Sequence, residues 1–279
     1  MPASNARALD KARALPADVV VFDLEDAVAP DAKPEARASA VEAARGRAYG
    51  PREVIVRVNG LETPWGADDL AAVARAGVDG VLVPKVESPL TVTRVSAALA
   101  DHGAPETLSL WCMLETPRGI LAADAIAGAS PRNLALVMGT SDLLAELNAR
   151  ATRDRLALLT SLELCVLAAR AHGLLALDGV HLDLEDDEGF AATCRQARDL
   201  GFDGKTLIHP KQLALANEVF SPSSSEIDRA RRVVAAHAEA QAAGRGVTVL
   251  DGRLVENLHA AEARRVLALA EAIAARAAG

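Results

Sequence analysis

Short runs of apolar and β-branched residues recur along the chain, separated by segments in which Ala, Leu and Val return every three or four positions among charged residues. An apolar run bounded by turn residues predicts a buried strand, and the three-to-four spacing predicts a helix packed along one face. Strands are expected at 18–24, 53–58, 80–84, 108–114, 134–138, 175–182 and 205–208. Helices are expected between them at 34–47, 67–76, 89–101, 118–127, 153–171 and 188–200. Alternating strands and helices build a parallel sheet with crossover helices, so the fold class is α/β. The strand count falls one short of a (β/α)8 TIM barrel, and the chain opens on a helical stretch at 5–14, where the helix after a first strand belongs. No G-x-G-x-x-G turn follows an early strand, so the dinucleotide-binding open sheet lacks its signature and the barrel is the expected architecture.

After Phe220 the pattern changes. Ser221-Pro222-Ser223-Ser224-Ser225 reads as a linker and N-cap, leading into a helix at 226–243. Residues 247–250 and 253–255 flank Asp251-Gly252, a pair suited to the two positive-φ positions of a type I′ hairpin turn, and a helix at 259–278 follows. The expected division is a barrel at 1–220, its first strand truncated, and a helical and hairpin lid at 221–279.

With 51% hydrophobic residues in 279, the chain has enough apolar surface for a large core plus an appendage, which excludes disorder. A net charge of −8 and 3% aromatic residues argue against nucleic acid as a partner. Apolar runs are too short for a membrane span and no export signal is visible, so a soluble, cytoplasmic enzyme is expected. Cys112, Cys165 and Cys194 lie too far apart for a zinc motif and are expected to be buried thiols.

In a parallel barrel the polar residues that matter follow the apolar runs, at the C-terminal ends of the strands. Here they are Asp23, Glu25 and Asp26, then Arg57 and Asn59, Lys85 and Glu87, Glu115, Ser141 and Asp142, Asp183, and His209. Carboxylates beside an Arg and a Lys suit a divalent cation with an anionic substrate, and Glu115 with Asp142 is a fitting pair for Mg2+. Each residue also has a structural reading. Asp142 and Glu115 could serve helix starts, Arg57 could pair with the Asp23–Asp26 acids, and His209 could be a satisfied hydrogen-bonding group. Lys85 has a minor reading as a Schiff-base lysine.

Six segments then occur in order: Asp23-Leu24-Glu25-Asp26-Ala27-Val28 with Lys33 and Arg37, Arg57-Val58-Asn59, Pro84-Lys85-Val86-Glu87, Glu115-Thr116-Pro117, Gly139-Thr140-Ser141-Asp142-Leu143, and Gly204-Lys205-Thr206-Leu207-Ile208-His209-Pro210. This series resembles the citrate lyase β-subunit-like family of the HpcH/HpaI aldolase/citrate lyase superfamily, which includes malyl-CoA, β-methylmalyl-CoA and citramalyl-CoA lyases. The resemblance implies a (β/α)8 barrel in a homotrimer or hexamer, with Mg2+ held by Glu115 and Asp142. It implies that Arg57 and Glu115 contact substrate, that Glu25 and Asp26 lie in the metal's water shell, and that a C-terminal lid reaches a neighbouring subunit. Lys85 is grouped with Glu25 and Asp26 around the metal.

Two positions depart from the family's pattern. The expected first strand, ending in Val-Pro-Gly, is replaced by Met1-Pro2-Ala3, and the lid's acid is Glu256 where lyases carry Asp. The expected activity is cleavage of a 3-hydroxyacyl-CoA to a 2-oxo acid and an acyl-CoA, with Arg57 stabilising the enolate and Glu256 moving the proton. The alternatives are a malyl-CoA thioesterase on the same site, a citrate lyase β subunit acting on a carrier protein, and a non-catalytic barrel.

Overall fold

The computed structural model describes residues 1–46 and 48–278; Arg47, the last residue of the helix expected at 34–47, lies outside them. Two compact units, Met1–Ala216 and Asn217–Gly279, divide the chain.

The first unit opens with α1 (Ala6–Ala12) and continues β1 (Val19–Asp23), α2 (Lys33–Arg45), β2 (Glu53–Arg57), α3 (Gly66–Val73), β3 (Gly80–Val83) and α4 (Pro89–Asp101). Then come β4 (Ser109–Leu114), α5 (Pro117–Leu121), α6 (Ala123–Ala127), β5 (Asn133–Met138), α7 (Thr140–Glu146) and α8 (Leu159–Ala171). It closes with β6 (Leu175–Asp178), α9 (Asp187–Leu200), β7 (Gly204–Lys205) and α10 (Leu213–Phe220), which runs across the boundary between the units. All the expected strands are present, but the one expected at 205–208 is only Gly204–Lys205, with residues 206–208 outside the ladder. The one expected at 175–182 stops at Asp178, whose carboxylate takes the Gly179 N–H (2.8 Å) in competition with the ladder. The helix expected at 118–127 is broken at Ala122, where ψ is 7°.

The seven strands form one parallel sheet in chain order, β1 to β7. A short segment flanks β1 on the edge away from β2: Asp23 N–H donates to the Met1 carbonyl and Ala3 N–H to the Asp23 carbonyl, both at 2.9 Å. Residues 1–3 thus run parallel to the C-terminal end of β1.

Side chains alternate between the two faces of a strand. One face gathers Ile55, Leu82, Trp111, Met113, Ala135 and Val137 with Val19, Val21 and Leu177. Continuing each strand by two residues on that face brings Asp23, Arg57, Glu115 and Gly139 to its C-terminal edge. The opposite parity carries Phe22, Val56, Val83, Cys112, Met138 and, at the end of β6, Asp178; all are buried. The period of two therefore sorts the strand-end polar residues before any contact is considered.

In the second unit, α11 (Ser224–Ala242), β8 (Thr248–Leu250), β9 (Arg253–Val255) and α12 (Asn257–Ala278) form a helical pair with a hairpin. Ser223 and Glu226 form the capping box that starts α11. Asp251 (φ 49°) and Gly252 (φ 73°) both adopt the left-handed region that the hairpin turn requires. Ala230, Val233, Val255 and Ala263 make its core. No helix among the described residues is long and apolar enough to cross a membrane.

Candidate active site

Asp23 and Arg57 are direct register partners on β1 and β2. The guanidinium donates from Nε and Nη2 to the two Asp23 oxygens, at 2.7 and 2.6 Å, and Nη1 lies 2.9 Å from Glu25 Oε2. Backbone N–H groups of Glu25 and Ala27 also donate to Asp23, at 2.9 and 3.2 Å. Burial alone would raise the Asp23 pKa, but the Arg57 hydrogen bonds and charge, with those N–H groups, hold it below the usual carboxylate value. Arg57 is correspondingly fixed as a cation. The ion-pair reading of Arg57 describes its geometry, with Asp23 as the clamp that orients it.

The loops behind are pinned by a buried lysine. Lys33 Nζ donates to the Leu24 and Glu25 carbonyls and to Asn59 Oδ1, at 2.9, 2.8 and 2.7 Å. Asn59 in turn donates to the Leu24 carbonyl and to Asp69, which accepts from Arg37 Nε at 2.6 Å. Lys33, Asn59, Asp69 and Arg37 thus fix the path of the chain that carries Glu25. Asp69 escaped the sequence reading because nothing local marks a helical Asp as the partner of residues 10 and 32 positions away.

Lys85 follows β3 with φ of +46°, a conformation that costs a non-glycine residue about 1–2 kcal/mol. Its N–H donates to Glu115 Oε1 at 2.7 Å, while its Nζ stands 3.7 Å from Glu25 Oε1 and 3.6 Å from Asp142 Oδ1. Extended alternation would leave Lys85 on the face of Val81 and Val83; the left-handed turn breaks that alternation. Burial opposes its charge, but Glu25, Asp142, Asp26 and Glu115 together raise its pKa. A Schiff-base lysine must be neutral to attack, so this setting argues against that role.

Glu115 is buried, and Gly139 leaves it room: a Cβ at 139 would lie 2.4 Å from Glu115 Cβ and 2.5 Å from Oε2. Burial and the charges of Glu25 and Asp142 push its pKa up to about 7, against the Lys85 N–H and Arg57. Glu25 is raised too, by burial and by Asp26 and Asp23, with Arg57 and Lys85 opposing. Asp142 lies in the first turn of α7, whose N-cap is Gly139, so it is not the helix cap; Asp26 is exposed. Thr116 caps α5 instead of Glu115, with the Gly119 N–H on its hydroxyl at 3.0 Å.

Asp23, Glu25, Asp26, Glu115 and Asp142 share this end of the sheet with only Arg57 and Lys85 among the site's predicted cations. Glu25 Oε2 is buried without an aligned hydrogen bond, despite its closeness to Arg57. Hard oxygen donors with excess negative charge fit a hard divalent cation such as Mg2+, which takes one or two carboxylates and otherwise keeps water. Among the described residues no three acidic, His or Cys side chains already converge as a cage.

Other polar residues go elsewhere. Asp178, which the sequence reading passed over within an apolar run, accepts from Arg155 Nη1 at 2.8 Å and Lys205 Nζ at 2.6 Å in full burial, and Arg155 also bonds Gln196 of α9. Its parity puts it on the other face from Glu115. His209 caps the turn after it through Nδ1, accepting from Lys211 N–H at 3.2 Å, and Asp183 accepts the Glu185 N–H at 2.9 Å. All three cysteines are buried with raised pKa values, so none is a nucleophile. In the second unit, Glu256 immediately precedes α12; its N–H donates to His259 Nδ1 at 3.1 Å and its carboxylate has no partner among the described residues.

A parallel α/β sheet with a carboxylate and cation cluster at its C-terminal edge agrees with what comparison shows: residues 1–210 match the HpcH/HpaI aldolase/citrate lyase family, and the chain belongs to it. It is 53% identical to a (3S)-malyl-CoA thioesterase of Cereibacter sphaeroides, over 99% of this chain and 94% of that one. It is 37% identical to an L-malyl-CoA/beta-methylmalyl-CoA lyase of the same species, over 98% and 94%. Among solved structures, CitE of Mycobacterium tuberculosis in complex with magnesium, acetoacetate and coenzyme A matches with a TM-score of 0.80 and 33% identity, covering 97% of this chain and 96% of that one.

Proposed function

We propose that this chain is a Mg2+-dependent enzyme acting on a carboxylate-bearing 3-hydroxyacyl-CoA of the malyl-CoA type. In this reading residues 1–220 form a (β/α)8 barrel, 221–279 form its lid, and Glu115 and Asp142 hold the metal, with Glu25, Asp26 and Lys85 around it. The observation that carries it is the buried Glu115 carboxylate, given room by Gly139 and placed beside Lys85, Glu25 and Arg57. Support for Mg2+ comes from this donor set and from the related CitE crystallised with magnesium.

When bound, Mg2+ supplies Lewis-acid polarisation of substrate oxygens. Arg57, held by Asp23, offers its remaining N–H groups to the thioester oxygen, where negative charge develops. Glu256 serves as proton acceptor, supplied from the lid of a neighbouring subunit in a homotrimer or hexamer. The 53% identity to a malyl-CoA thioesterase and the Glu at 256 favour thioester hydrolysis: Glu256 takes a proton from water, the water oxygen bonds to the carbonyl carbon, the C–S bond breaks, and the proton passes to the leaving thiolate to give free CoA and the 3-hydroxy acid. The 37% identity to a lyase supports the second reading, in which the same carboxylate takes the 3-hydroxyl proton, the carbon–carbon bond breaks to a 2-oxo acid and a thioester enolate, and the proton is returned to the enolate carbon to give the acyl-CoA.

Incubation with malyl-CoA, β-methylmalyl-CoA or citramalyl-CoA, with Mg2+ or EDTA, separates the two when 2-oxo acid and free thiol are followed together. Thiol without oxo acid is the expected result. Oxo acid with little thiol makes the enzyme a lyase, and turnover that survives EDTA removes the metal from the account.

A further inference from the structure

Lys85 is joined to three acids in two ways. Its backbone N–H holds Glu115, and its ammonium is nearly equidistant from Glu25 Oε1 (3.7 Å) and Asp142 Oδ1 (3.6 Å), too far from either for a hydrogen bond but within ion-pair range of both. The left-handed backbone at this residue shows that the placement is imposed against local preference. Glu25 and Glu115 are buried while Lys85 and Asp142 reach solvent, so the ammonium is the countercharge at the open side of two desolvated carboxylates.

We infer that the Lys85 ammonium and a divalent cation are alternative partners of the same carboxylates, so that metal entry releases Lys85 from Glu25 and Asp142. This rests on the metal reading above and adds a regulating element to it. A cation bound to Asp142 and Glu115 draws off the negative charge that holds Lys85, and two cations sharing one carboxylate weaken each other. Metal binding and the lysine's ion pairs are therefore negatively coupled, and the coupling acts equally in both directions. The freed ammonium becomes available to an anionic substrate, so the metal is expected to bind before it.

The test uses the full chain and Mg2+ alone. Acetic anhydride labelling, read by mass spectrometry, follows Lys85 against exposed Lys11 with and without Mg2+, while calorimetry compares Mg2+ affinity in the parent, Lys85→Met and Lys85→Arg. Labelling of Lys85, relative to Lys11, is expected to rise severalfold with Mg2+. Lys85→Met is expected to bind Mg2+ about tenfold more tightly, and Lys85→Arg, which keeps the charge, near the parent value. Unchanged or slower labelling of Lys85 in protein that binds Mg2+ overturns the inference while leaving the metal site standing. The labelling arm needs no variant to fold. Absence of Mg2+ binding in parent and variants alike overturns the metal reading and this inference with it.

Discussion

At the scale of single residues, the pair that decides the most is Asp23 with Arg57. The folded pKa of Asp23 lies below the ordinary 3.8, so the native state binds fewer protons than the unfolded chain in the window beneath that value. The stability this pair contributes is full above the unfolded pKa and is lost as pH falls through the folded one. Asp23→Asn should therefore flatten the acid limb of urea midpoints measured from neutral pH to about pH 3, and should lower turnover by releasing Arg57 from its clamp. A variant with a parent-like acid limb shows that the clamp is not coupled to folding. Gly139 acts at the same scale. Gly139→Ala drives a methyl group into the Glu115 side chain, and should cost about 1–3 kcal/mol in denaturant titrations. A shift of about 1 Å in the Glu115 carboxylate should reduce turnover about 100-fold. Parent-like stability and rate together indicate that Glu115 has room to move.

Among elements, β6, β7, α9 and the segment before α8 are tied by one buried carboxylate, Asp178, with Arg155, Lys205 and the Gly179 N–H around it. Removing it leaves two buried cations without their anion. Asp178→Ala should destabilise the protein by about 3–5 kcal/mol in equilibrium unfolding, far more than a surface ion pair such as Arg231 with Asp228. Because Asp178 has the opposite parity to Glu115, Mg2+ affinity of the folded fraction should be unaffected. A change in affinity in well-folded protein shows that this group communicates with the metal site.

For the whole molecule, the proposal that Glu256 serves a neighbouring subunit has a direct test. Glu115→Gln and Glu256→Gln chains should each be inactive alone, but in mixed oligomers a sound barrel from one can meet a sound lid from the other. Random mixing in a closed ring restores on the order of a quarter of the sites. Activity that stays absent in mixed oligomers whose subunits have exchanged places Glu256 in its own chain's site or outside the chemistry.

The chain's local pattern determined the seven strands, their parallel order and the hairpin at Asp251-Gly252, because apolar runs, helical spacing and turn chemistry are properties of neighbouring residues. It also marked Glu25, Arg57, Lys85, Glu115 and Asp142, since a parallel sheet gathers whatever follows its strands at one edge. It also offered Arg57 as a partner of the Asp23–Asp26 acids, but not which of them it meets or in what geometry. Asp23 and Arg57 are 34 positions apart and face each other only through the β1 and β2 register. Asp178 looked like part of an apolar strand, and only parity and the approach of α9 reveal it as the anion of a buried ion cluster. The left-handed turn at Lys85 has no glycine to announce it; it is held by contacts with Glu115, Glu25 and Asp142 that exist only after the strands have assembled. Local energetics choose the elements, and long-range pairing chooses the partners of each charge.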